Sequence, residues 1–237
     1  MKTTNEQLQK VTGNLLIIGA VLLFIPYTIL SIIFEYPVIL RQETGVILTK
    51  FYQGGTTLIF TWWAFAMVGL PLLGAYIFIG QLFEKKYPLV RFATTVGMIG
   101  LIVQMIGLLR WTFVVPVLAK DFVYGDAMTK SASIVAFKLI HQFGGVILGE
   151  HIGQIFTIAW TVMIAYSFNR LKLFPAWISW FGYAVSVIYL GAQTELFATV
   201  IEGFFVLDLA GLIGSTLWLV WLIVVGMYIR TIKSNEE

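Results

Sequence analysis

The chain has no cysteine, which excludes disulfides, thiolate catalysis, iron–sulfur clusters and cysteine-based zinc sites. Charge is almost as scarce: Asp, Glu, Lys and Arg make up 11% of the 237 residues, less than half the share in an ordinary soluble domain. There are two histidines, His141 and His151, and six prolines. No Walker loop, no Gly-x-Gly-x-x-Gly opening a helix, no Ser-His-Asp order and no His-Glu-x-x-His spacing occurs in a credible setting. Nucleotide binding and triad hydrolysis therefore have no support, and an enzyme would lack an identifiable catalytic residue.

Apolar length is what the chain has in quantity. Hydrophobic residues are 59% of the total and the mean hydropathy is +0.90. The apolar runs are each long enough to cross a hydrocarbon core of ~30 Å at ~1.5 Å per residue, and they leave no room for a separate soluble domain. This predicts an all-α polytopic membrane protein, residues 1–237 forming a single transmembrane domain. The polar stretch Met1 to Val11 precedes an apolar run of about twenty residues, longer than a signal-peptide core and without a small-x-small cleavage pattern. It is expected to stay as the first span. The net charge of +3 comes from loop Lys and Arg rather than one basic face, so the cations read as topology determinants and no nucleic acid is expected.

Hydropathy predicts six spans, at about 12–34, 56–83, 92–118, 143–168, 177–194 and 206–229. Lys2, Lys10, Lys85, Lys86, Arg91, Arg170, Lys172, Arg230 and Lys233 then fall on one side, and Arg41, Lys50, Lys120, Lys130 and Lys138 on the other. By the positive-inside rule both termini are cytoplasmic. Two connections on that side, Glu84 to Pro88 and Arg170 to Pro175, are short, basic and end in a proline that can start a new helix. They resemble each other, but the flanking helices do not, so an inverted repeat is not inferred. The outer connections 35–55 and 120–142 are longer. In the second, Asp126 is placed to N-cap a helix through Lys130, Ser133, Phe137 and Lys138 into span four, with Gly144 and Gly145 as a hinge. Such a helix would either roof a site or lie as an interfacial segment.

The fourth span carries Glu150 and His151 where a lipid-facing helix should carry no charge. A carboxylate there costs roughly 2.5–3.5 kcal/mol on insertion scales, so it must be paired, protonated or beside water. At ~100° per residue, Gly145, Gly149 and Gly153 form a small-residue ridge for close helix packing, His141 extends it, and Glu150, His151 and Gln154 form a polar arc beside it. With the span starting near Phe143, Glu150 would lie roughly 10 Å from the outer end. Arg110, Gln193 and Glu195 are expected at the same level as partners. Two readings of Arg110 and Trp111 stay open, a pair with Glu150 or an interfacial anchor. His141 is expected to bond backbone, and Glu195, Glu202 and Asp208 to be solvated. Eight Trp and ten Tyr suit aromatic belts.

His141 and His151 are ten residues apart, ~15 Å along one helix, and cannot ligate one iron, so a bis-His haem would need a second subunit. No cofactor and no metal site is expected.

Arg110 within span three, Gly149 to Gly153 (Gly-Glu-His-Ile-Gly), Leu173 to Gly182 (Leu-Phe-Pro-Ala-Trp-Ile-Ser-Trp-Phe-Gly) and Leu217 to Gly226 (Leu-Trp-Leu-Val-Trp-Leu-Ile-Val-Val-Gly) carry a family resemblance. With six spans in this length, the chain resembles the bacterial multi-pass proteins of a numbered domain of unknown function, four-three-eight-six. The resemblance covers most of the chain from span two onward. It implies a bacterial inner-membrane location with no assigned activity, and it carries no catalytic residue over.

The residues thus point to a small-solute or proton-linked transporter working through an outward-facing polar site. The competing reading is a non-catalytic membrane subunit that binds a second copy or another membrane protein through the glycine ridge. A membrane-embedded enzyme is the third.

Overall fold

The computed structural model describes residues 2–232; Met1 and residues 233–237, which include the Lys233 counted above, lie outside them. All regular secondary structure among the described residues is helical, without a strand. In order they form α1 (Lys2–Phe34), a 3-10 turn (Val38–Arg41), α2 (Thr44–Met67), α3 (Leu70–Phe83), α4 (Leu89–Phe113), α5 (Val115–Tyr124), α6 (Ala127–Ile140), a π-helical segment (His141–Ile152), α7 (Gly153–Arg170), α8 (Ala176–Gly191), α9 (Gln193–Ala198) and α10 (Ala210–Ile229).

Among the described residues, five helical stretches are long and apolar enough to cross a bilayer, which fits a membrane-embedded protein: Asn5–Phe34, Thr44–Phe83, Leu89–Tyr124, Ala127–Arg170 and Ala210–Ile229. The segment expected at 177–194 is α8, 16 residues long or roughly 24 Å at 1.5 Å per residue, short of a full span. It is followed by Ala192 and the brief α9.

The helices extend beyond the expected outer span boundaries, because a polar stretch can still be helical. Residues 44–54, with Thr49, Lys50 and Gln53, are helix rather than loop, and the expected start at Thr56 is where α2 breaks. Gly55 has φ 54° and ψ −147° there, a conformation that only glycine adopts without strain. Most of 120–142 is helical too. Asp126 does cap α6, its carboxylate accepting the Thr129 backbone N–H at 2.8 Å. That bond to the Thr129 amide holds the Asp126 carboxyl below its usual pKa. Pro175 is the N-cap of α8, as the sequence suggested.

The chain forms two compact units. One contains residues 1–21, 70–102 and 151–237; the other contains 22–69 and 103–150. In the first, α8 packs on α7 and on α10. Ser179 Oγ donates to the Ala165 carbonyl at 2.8 Å, and Trp221 Nε1 to the Ile178 carbonyl at 2.9 Å. Gly182 makes that approach possible, since a Cβ there would lie 2.9 Å from Trp221 Nε1. Tyr76 stacks on Trp160 at 3.8 Å between centroids, and Trp160 meets Trp221 edge-on at 5.8 Å.

In the second unit, α5 packs on α2 and α6 around an aromatic core. Trp111 stacks on Trp62 at 4.8 Å and on Phe51 at 5.6 Å, and the ring of Phe34 stands edge-on to all three. The aromatic-belt expectation is corrected here: Trp62, Trp111, Trp160, Trp218 and Trp221 are buried, and Trp63, Trp177 and Trp180 are exposed. Large flat rings bury 150–250 Å² each and dominate packing wherever they can be enclosed.

Candidate functional site

The helix that carries Glu150 and His151 is not α-helical where it carries them. From His141 to Ile152 it makes π-type hydrogen bonds, so residues five apart, rather than four, come into line. The consequence is visible in the second unit, where α4 lies against it. A Cβ on Gly107 would fall 2.5 Å from the Gly144 carbonyl oxygen, 2.9 Å from Gly149 Cα and 3.0 Å from Gly149 N. The packing pair is thus Gly144 with Gly149, a spacing of five.

Gly145, expected on that ridge, faces Arg110 of the same helix α4: a Cβ there would lie 2.5 Å from the guanidinium Nη2 and 2.9 Å from Cζ. Gly153, in the first unit, places its carbonyl oxygen 3.3 Å from where a Cβ on Gly100 would stand. Each of the three expected glycines thus lies against a residue of α4: Gly145 against Arg110, Gly149 against Gly107 and Gly153 against Gly100. Gly100 and Gly107 were missed, and Gly144 was read only as a hinge; the signal for the first two was a pair of glycines seven residues apart on α4, two turns of one face, just before Arg110.

Arg110 is buried, 7% exposed. Its Nη1 donates to the Gly107 carbonyl one turn back, and Cζ lies 5.2 Å from the centroid of the Trp111 ring. Glu150 and Tyr36 both act on it electrostatically. Its Nε is buried with no hydrogen-bond partner. Trp111 is 1% exposed and central to the aromatic core. The interfacial-anchor reading required both side chains at the surface, and neither is there. Glu150 is half-buried.

His141 was expected to bond backbone. Its Nδ1 is buried without a partner, and the ring stacks on Phe137 at 5.4 Å and meets Trp111 at 6.1 Å. Phe137 itself is 3% exposed, so α6 is a packed element of this unit rather than a loose interfacial segment. Trp62 Nε1 and Thr112 Oγ1 are buried without partners as well. Arg110 Nε, His141 Nδ1, Trp62 Nε1 and Thr112 Oγ1 are therefore buried polar atoms that packing alone has not satisfied, each of a kind that costs about 1–3 kcal/mol.

In the first unit His151 begins a hydrogen-bonded chain of its own. His151 Nδ1 and Gln193 Oε1 are 2.6 Å apart, and Gln193 Nε2 donates to Gln154 Oε1. An amide oxygen can only accept, so His151 donates from Nδ1, which leaves Nε2 as the acceptor of the uncharged ring. Gln154 and Gln193 are both buried. The ring edge meets Phe197 at 6.2 Å. Gln193, one of the residues expected at the level of Glu150, orients His151. Glu195 lies in the first turn of α9, in the unit of His151. Glu202 and Asp208 are exposed.

Among the described residues no three His, Asp or Glu side chains converge on a point that could hold a metal ion. Over residues 11–226 the chain matches the family model described as Domain of unknown function (DUF4386), and it belongs to that family. No curated protein matches it, and no solved structure does.

Proposed function

We propose that this member of the family is a six-span protein of the bacterial inner membrane, both termini cytoplasmic, that carries out proton-linked transport of a small solute. The Arg110–Glu150 pair is its outer polar site. The observation that carries the reading is Arg110: a permanently charged guanidinium, buried, with one donor unsatisfied, set against a π-helical segment that carries Glu150. Charged groups inside membrane helices are expensive and are kept at ion, proton or substrate paths, and π-helical segments concentrate at functional sites.

Placement supports an outward-facing position. Counted from the basic end at Arg170, Glu150 is about 30 Å along the helix, and counted from Leu89, Arg110 is also about 30 Å along α4, at ~1.5 Å per residue. Both then lie near the far edge of a ~30 Å hydrocarbon core. On this reading α8 crosses with α9 completing it, in a bilayer thinned locally to suit a short span. A partner-binding subunit is the weaker reading, because Gly144 and Gly149 already receive α4 at Gly107.

The test is proton flux into proteoliposomes that enclose a pH-sensitive dye, driven by an imposed potential. Wild-type protein should acidify the lumen faster than empty vesicles, and Glu150→Gln should fall to the empty-vesicle rate while eluting as a folded protein in detergent. Equal rates for wild type and Glu150→Gln would refute the assignment.

A further inference from the structure

The start of α1 and the end of α10 meet in the first unit, and a cleft of about 370 Å³ opens between them, lined by Lys10, Asn14, Met227, Arg230 and Thr231. Its walls are fixed by two glycines. A Cβ on Gly226 would lie 2.8 Å from the Gly13 carbonyl oxygen, so the two backbones touch, and the stem of Arg230 lies across Gly13, with Cδ 3.2 Å from where a Cβ would stand. The methylenes of Arg230 thereby cover the helix contact while the guanidinium stays at the cleft. Two cations and the polar side chains of Asn14 and Thr231 share one small concavity.

Both helices continue away from this cleft with exposed apolar stripes. On α1, Ile18 and Val21 follow Lys10 and Asn14 on one face, at steps of four, four and three residues; both are nearly half exposed, at 49% and 47%. On α10, Met227, Val220 and Ile213 share a face at steps of seven or less from Arg230, each 40% exposed or more. A cationic polar head site that opens onto two apolar tracks along membrane-crossing helices has the amphipathic layout of a phospholipid.

We propose that this cleft binds the phosphate headgroup of an anionic phospholipid, with Lys10 and Arg230 on the phosphate, Asn14 and Thr231 on the glycerol-side oxygens, and the acyl chains along the Ile18–Val21 and Met227–Val220 stripes. Basic pockets between membrane helices are a recurring form of headgroup site, and a guanidinium matches two phosphate oxygens at once. The site depends on the chain lying in a membrane and not on transport. The apolar stripes distinguish a lipid from free phosphate, which would have no use for them.

The test is native mass spectrometry of the full chain, delipidated in detergent and titrated with phosphatidylglycerol or with phosphatidylcholine of the same acyl chains. Wild type should retain phosphatidylglycerol in preference. The double variant Lys10→Gln/Arg230→Gln should lose that preference by about 30-fold, from two near-surface cations. Lys85→Gln/Lys86→Gln removes the same charge elsewhere and should keep it. The proposal is overturned by equal binding of the two lipids to wild type, by an equal loss in the control variant, by retention in the Lys10/Arg230 variant, or by displacement of phosphatidylglycerol with inorganic phosphate at matched concentration.

Discussion

Replacing Gly107 by alanine adds one methyl group where α4 meets the π-helical segment. That methyl would stand 2.5 Å from the Gly144 carbonyl oxygen, 2.9 Å from Gly149 Cα and 3.0 Å from Gly149 N. All three are backbone atoms, so no rotamer change relieves the overlap and the two helices must separate. Overpacking of this kind costs about 1–3 kcal/mol, and the better helix propensity of alanine returns at most ~1 kcal/mol. The net expectation is a loss of up to about 2 kcal/mol. Gly74→Ala on α3 is the matched control, because its methyl would meet only the Leu15 Cδ1 at 3.4 Å, the end of a flexible side chain; it should be neutral or slightly stabilising. The assay is SDS-induced unfolding in mixed micelles, reading tryptophan fluorescence from the buried core. Equal midpoints for the two variants would show that α4 and the π-helical segment do not make this backbone contact.

Gly145→Ala drives a methyl into the Arg110 guanidinium, so its cost should shrink when Arg110→Gln is already present, with a coupling of about 0.5–3 kcal/mol in a double-mutant unfolding cycle; simple additivity would place the clash elsewhere. Gln193→Leu strips both the acceptor of His151 and the donor to Gln154 and should cost about 1–3 kcal/mol as buried groups go unpaired. Adding Gln154→Leu should then cost less than it does alone, and an unchanged increment would contradict the hydrogen-bonded chain. For Asp126 the folded-state carboxyl is held below its unfolded value by the Thr129 amide, so its contribution is present above the unfolded pKa and is lost as pH falls through the folded one. Hydrogen-exchange protection of the first turn of α6, corrected for intrinsic rates, should hold through neutral pH and drop only below the ordinary carboxylate range. Asp126→Ala should lack that protection at every pH, and an identical profile in the variant would remove the cap from the account.

Much of the helix content was legible because apolar length and punctuation agree. Pro175 ends a basic turn and caps α8, and Asp126 caps α6, each by local chemistry that tertiary packing did not override. The outer segments were not legible from hydropathy, since Lys50, Gln53 and Lys130 lower the local mean without opposing a helix. The break at Gly55 shows as an expected span start because the polar-to-apolar change in the sequence falls at the same residue as the backbone break. Burial of the tryptophans was hidden for a different reason. Trp62 and Trp63 are adjacent and alike in type, yet one is fully buried and the other 44% exposed, a difference set only by which side of α2 meets Trp111.

The candidate residues were legible as types, but their partners were not, because partner assignment used a period that the helix does not keep. At 3.6 residues per turn Gly145, Gly149 and Gly153 align; at π spacing Gly144 and Gly149 do. The Gly144-Gly145 dipeptide offers a small residue in either register, so the sequence satisfies both periods and cannot choose between them. Both glycines bear on the Arg110 side chain of α4: a Cβ on Gly144 would lie 3.2 Å from its Cδ and one on Gly145 2.5 Å from its Nη2, so a larger residue at either position would crowd it. The buried arginine and the π-helical segment therefore meet over bare backbone: Gly144 and Gly145 leave room for the Arg110 stem and guanidinium, three residues along α4 from the Gly107 contact with Gly144 and Gly149.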